Sequence, residues 1–126
     1  MKRLIKNLIL LDVAVTLLLT VGVFGIIYTL FWSIRNFTKT SFFKYWSDLV
    51  YTINIGIDKL GNVMLGAFMN RFAVTELQYP FGRLEDTISY ALAMNIGYLS
   101  PLGEFIVTIL EAIDPGHMQD AIDRKV

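Results

Sequence analysis

Residues 13 to 34 read VAVTLLLTVGVFGIIYTLFWSI, 22 positions without a charge. An α-helix rises about 1.5 Å per residue, so such a run reaches roughly 33 Å, slightly more than the ~30 Å hydrocarbon core of a bilayer. A single membrane crossing is the expectation. Lys2, Arg3 and Lys6 precede the run, and Arg35, Lys39 and Lys44 follow it. Aromatic residues crowd its far end. Tyr28 and Trp32, and beyond them Trp46 among Phe37, Phe42, Phe43 and Tyr45, suit a headgroup zone, where a ring stays in the apolar edge while its polar tip meets water. Residues 1–35 are read as an anchor and 36–47 as an aromatic interfacial segment. The alternative for that segment is that its rings pack on the domain that follows.

The start MKRLIKNLILLD also has the form of a secretory n-region. However, the apolar run exceeds the roughly 7 to 15 residues of a signal core, and IIYTLFWSIRN puts bulky aromatics where a cleavage site needs small residues. A retained anchor is expected. Basic residues on both sides leave its orientation undecided by the positive-inside rule. Asp12 is read as lying at the N-terminal boundary of the span, where a carboxylate meets the helix dipole and still reaches water. Gly22 and Gly25 are three apart and so do not form a G-x-x-x-G seam.

Beyond the anchor about 90 residues remain, enough for one modest helical core. Charge divides the chain. Residues 1–35 carry four basic and one acidic residue, net +3, whereas residues 36–126 carry seven basic and ten acidic, net −3. An acidic domain without a basic cluster interleaved with aromatics lacks the footprint of nucleic-acid binding, so no nucleic-acid partner is expected. The chain contains no Cys, which removes disulfides, thiolate chemistry and Cys-ligated metal sites.

Ser47 and Asp48 look like a helix start, and Val50, Ile53, Ile57, Leu60, Met64 and Phe68 then recur at the spacing of one helical face. The pattern predicts a helix over about 48–69. Asn54, Asp58 and Asn62, at i, i+4 and i+8, form a polar stripe read by default as a solvated face, with a buried hydrogen-bonding seam as the alternative. Residues 71–83, with Tyr79-Pro80 and Gly82, interrupt the period and form a connection. Leu84, Ile88, Ala91, Leu92 and Ile96 share a face and predict a helix over about 84–96, with Glu85 and Asp86 in its first turn. Ser100 as N-cap and Pro101 at the first helical position open a third helix to about residue 113. Asp114 and Pro115 repeat that device and start a short terminal helix. The uncharged run 87–103 is also readable as a second span, but its Pro and Gly residues, and Glu104 beyond them, favour amphipathic surface helices. The fold class is therefore all-α: a single N-terminal transmembrane helix, then a bundle of three to four amphipathic helices over 48–126.

Three patches, IDKLGNVMLG at 57–66, LEDTISYALA at 84–93 and ILEAIDPGHMQDAI at 109–122, carry a resemblance. They are similar to a group of small proteins encoded by tailed bacteriophages that share an I-D-x-L-x-N-x-x-x-G segment, then D-E-T-I-S-S, then an acidic residue, a gap and H-C-x-x-A. The matching positions are Asp58, Asn62, Gly66, Asp86, Thr87, Ile88, Ser89, Asp114, His117 and Ala121. The resemblance spans roughly residues 55–122 and excludes the anchor. Glu85 and Asp86 stand for the acidic pair, Tyr90 for the second Ser and Met118 for the Cys, so a His-Cys pair is missing. What it implies is a phage-like origin and a small helical domain, with no reaction attached.

The candidate polar cluster is Asp58, Asn62, Glu85, Asp86 and His117. Carboxylates with one imidazole bind divalent cations or share acid-base work. This spacing is nonspecific, and the chain has no H-E-x-x-H helix, Walker loop, G-x-S-x-G elbow or EF-hand loop. These residues are therefore expected to serve helix ends and local hydrogen bonds, with no catalysis, metal or cofactor. At 55% hydrophobic residues the domain cannot hide every apolar face, so the expected partners are the lipid bilayer and further copies or a larger membrane complex. The expected role is a structural subunit or assembly factor at a membrane, the inner membrane of a bacterial host if the origin is phage-like. The alternative is a membrane-permeabilising, holin-like effector.

Overall fold

A computed structural model describes residues 1–125, and among them the chain is all helical. It divides into two compact units at the Asp48–Leu49 boundary. In the first, α1 (Lys2–Leu17) and α2 (Val23–Asn36) join through one π turn at Leu18–Gly22 into a continuous apolar helix. A wider turn frees a carbonyl, and the Thr20 hydroxyl donates to the Thr16 carbonyl at 2.7 Å beside it. The helix begins at Lys2, so Asp12 lies in its interior rather than at its N-terminal boundary. Asn36 Nδ2 donates to the Trp32 carbonyl at 2.7 Å, and extended Phe37 ends the helix.

No independent aromatic segment separates the long apolar helix from the domain. Thr38 accepts from the Ser41 amide at 3.4 Å, as an N-cap does, and α3 then runs unbroken from Lys39 to Phe72. It starts nine residues ahead of the Ser47-Asp48 signal, because the strong cap is Thr38. The aromatics around this turn pack on one another. Phe37 meets Trp32 edge-on with centroids 5.0 Å apart and Tyr45 at 5.4 Å, and Trp46 Nε1 donates to buried Ser33 Oγ at 3.0 Å.

In the second unit, α4 (Ile88–Met94), α5 (Pro101–Ile113) and α6 (His117–Arg124) follow α3. Neither α4 nor α5 is long enough to cross a bilayer; of the described helices only Lys2–Asn36 is long and apolar enough. The core gathers Met69, Ala73, Val74, Phe81, Ala91, Leu92, Ala93 and Met118, with Leu99, Ile106, Leu110 and Ile122 packed around it. Two backbone crossings hold it close. A Cβ on Gly66 would stand 2.5 Å from Gly82 Cα, and one on Gly103 would collide with the Ala73 carbonyl. Val74 and Leu99 form an isolated antiparallel bridge, with Thr75 N donating to the Tyr98 carbonyl at 2.8 Å.

Three further sequence expectations are corrected. The predicted helix 84–96 contracts to Ile88–Met94, with Thr87 as N-cap accepting from Tyr90 N at 3.0 Å; Leu84 and Ile96 lie outside it and are exposed, as is Glu85. The terminal helix is capped by left-handed Gly116, with φ of 90°, rather than by Asp114. The third correction concerns α3. Its apolar stripe faces outward, with Val50, Ile53, Ile57, Leu60, Met64 and Phe68 all exposed, while Asn62 is fully buried. The polar stripe is a hydrogen-bonding seam along Asp58 and Asn62.

Candidate functional site

The loop between α3 and α4 has no regular structure, so its backbone groups need partners from elsewhere. Three asparagines supply them. Asn62 Nδ2 donates to the carbonyls of Arg83 at 3.1 Å and Asp86 at 3.0 Å, and its Oδ1 accepts from Gly82 N at 3.0 Å. Two turns along α3, Asn70 accepts from Phe81 N at 2.8 Å and donates to the Phe81 carbonyl at 3.2 Å. Asn95, closing α4, accepts from the amides of Gln78 and Tyr79 at 3.0 Å each and donates to the carbonyls of Tyr79 and Ala91 at 2.7 Å each. Among the described residues no buried side-chain polar atom lacks a partner.

Asp58 closes the amino end of α4 from a different helix. Its carboxylate accepts from Ile88 N at 2.9 Å, Ser89 N at 3.5 Å and the Ser89 hydroxyl at 2.7 Å. Ser89 Oγ in turn lies 3.2 Å from His117 Nε2, and His117 Nδ1 lies 3.0 Å from Asp114 Oδ2. A line of groups, Asp58, Ser89, His117 and Asp114, thus joins three helix ends. It borders a groove of about 290 Å³ whose walls include Tyr51, Asn54, Leu110, Ile113 and Arg124. Arg124 reaches across to the Tyr51 hydroxyl at 2.7 Å.

Of the five residues in the sequence-derived cluster, Asp58 and His117 meet through Ser89. Asp86 belongs to the neighbouring loop clamp: it is nearly buried, accepts from the Tyr79 hydroxyl at 2.7 Å and pairs with Arg83 Nε at 3.0 Å. Burial first, and the Asp86 carboxylate second, push the Tyr79 phenol up to about 12. Asn62 holds the same loop by its backbone. Glu85 stands apart, exposed and paired with Arg83 at 2.7 Å, and that hydrogen bond holds its carboxyl below the usual range. Of the proposed interface aromatics, Tyr28 and Trp32 are exposed, whereas Trp46 is partly buried against Ser33. Residues outside the cluster carry much of the arrangement: Ser89, Tyr79, Asn70, Asn95 and Glu111. The polar stripe through Asp58 and Asn62 was the sequence signal nearest to the clamp, and extending it by two turns from Asn62 would have reached Asn70.

Asp114, His117 and Ser89 stand in the carboxylate, imidazole, hydroxyl order of a nucleophilic hydrolase. Two facts set this line apart. The Ser89 hydroxyl donates to Asp58, since a carboxylate only accepts, and the Ile88 and Ser89 amides, which an oxyanion would require, are held by the same carboxylate. Among the described residues no three His, Asp or Glu side chains converge as a metal ion would need.

Fold and site together define an all-helical protein with one long unburied apolar helix and a small domain locked by buried amide and carboxylate bridges. Comparison with known protein families, curated proteins and solved structures finds no match to this chain.

Proposed function

We propose that this chain is a noncatalytic, single-pass membrane protein whose helical domain serves as a structural subunit or assembly factor of an oligomeric, phage-related complex. The observation that carries this reading is the Lys2–Asn36 helix, 35 residues long, whose most apolar window has no part buried. Apolar surface on that scale, without protein over it, favours a solvent of lipid. The noncatalytic part is supported by the Ser89 hydroxyl and the α4 amides being committed to Asp58. The phage-related part is supported by the family-like positions Asp58, Asn62, Gly66, Thr87, Ser89 and His117, which share helix-end, loop-clamp and close-crossing contacts in one domain.

The test is extraction of host membranes with alkaline carbonate, combined with labelling of single cysteines. Since the native chain has no Cys, Lys2→Cys and Gln119→Cys each report one position. The expected result is retention in the pellet, with the two thiols labelled from opposite faces of the membrane. Release to the supernatant, or labelling from one face, would reject the single-pass reading.

A further inference from the structure

The outward face of α3 repeats with a period of seven. Val50, Ile57 and Met64 take the first position of successive heptads, and Ile53, Leu60 and Ala67 the fourth. All six are exposed, at 50, 62, 73, 45 and 59% for Val50, Ile57, Met64, Ile53 and Leu60. The residues that α3 turns toward its own domain, Asp58, Asn62, Gly66 and Met69, lie on the other side of the helix. An apolar first-and-fourth pattern over three heptads has the spacing of a coiled-coil seam, with β-branched Val50 and Ile57 at two of the three first positions and leucine, Leu60, at one of the three fourth positions.

We propose that the Val50–Ala67 seam of α3 is the interface with a second copy of this chain, forming a parallel two-stranded coiled coil. Charge supports a like partner. In a parallel pair each residue faces its own counterpart, so any charge on the seam or its flanks meets the same charge. The flanking positions from Leu49 to Asn70 are Leu49, Asn54, Gly56, Gly61, Val63, Phe68 and Asn70, all uncharged, while Asp58 and Lys59 fall outside them and Arg71, at the next first position, ends the seam. Area supports it as well. The exposed seam, with Val63 and Phe68, offers at most on the order of 700 Å² per copy for burial, against the ~800 Å² per partner of a standard interface. The parallel sense rests on the membrane reading above, because two copies anchored in one membrane leave it on the same side. Confinement to that plane also raises their effective concentration.

Full-length Ile53→Cys, Leu60→Cys and Gln119→Cys proteins, oxidised in native membranes, test the pairing. Disulfide-linked dimers are expected for both seam variants, with background only for Gln119→Cys on exposed α6. In detergent, Ile57→Lys is expected to shift the mass from dimer to monomer with the helical circular dichroism unchanged, since Ile57 makes no part of the domain core. Dimer at only one seam position overturns the parallel sense. Equal cross-linking at all three positions, or none at the seam in protein that the membrane retains, overturns the interface. Release of the chain by carbonate with seam cross-links intact overturns the membrane reading and leaves the pairing standing.

Discussion

Asn95 makes four hydrogen bonds, the full capacity of a side-chain amide, and is fully buried. Asn95→Ala strands several backbone groups, each costing about 1–3 kcal/mol when buried and unpaired, so a loss of about 3 kcal/mol or more is expected in denaturant unfolding. Asn54→Ala, on the exposed end of the same polar stripe as Asn62, is expected to stay within about 0.5 kcal/mol. Asp58→Ala removes the acceptor at the start of α4 and should cost about 2 kcal/mol, the upper end for a lost cap. The glycines divide in the same way. Gly66→Ala drives a methyl into the Gly82 backbone and is expected to cost about 3 kcal/mol, whereas Gly56→Ala meets nothing within 4 Å and should stabilise the helix by up to about 1 kcal/mol. The stripe of Asn54, Asp58 and Asn62 was legible as a stripe. Its inward direction was not, because hydrophobicity alone turns the opposite face of α3 to the core.

At the level of elements, the Ser-Pro cap of α5 was readable, whereas the local caps Thr38 and Thr87, which no proline follows, and the start of α6 were not. Ser100 caps α5 as its Ser-Pro signature indicated, accepting from Gly103 N at 3.3 Å. The start of α6 is instead held by Glu111, one helix earlier, which accepts from Gly116 N and Met118 N at 2.8 Å each. The Met118 amide foremost, and the Gly116 amide with it, hold the Glu111 carboxyl below its ordinary value. A carboxyl whose folded value is depressed contributes stability above its unfolded value, and that contribution is lost as pH falls through the folded one. Acidification below about pH 4.3 should therefore loosen α6, and Glu111→Gln should remove that part of the acid dependence, as followed by amide exchange at Met118 and Ala121. Tyr79 works in the opposite direction. Its phenol is raised from 10.0 to about 12, so its contribution is complete below the unfolded value and is lost as pH rises through the folded one. Ultraviolet titration of the wild type against Tyr79→Phe should show one phenolate forming later than an exposed tyrosine.

For the whole molecule, the dominant physical fact is apolar surface without a protein partner, first on the N-terminal helix and again along α3. On the single-pass reading proposed above, location depends on the former alone. Val23→Arg, at the middle of the uncharged run, is expected to add about 2.5–3.5 kcal/mol to insertion and to lower the carbonate-resistant fraction, while Ile57→Lys leaves it unchanged. The sequence by itself determined the apolar run, the all-helical class, the order of the helices that follow the run and the cap of α5, because each follows from the spacing of near neighbours along one chain. Only the tertiary structure decided which face of α3 turns inward, where α4 begins and what caps α6. Two of these decisions rest on contacts between residues far apart in sequence, such as Asn62 with Arg83 across 21 positions and Asp58 with Ser89 across 31, and a local period carries no record of those.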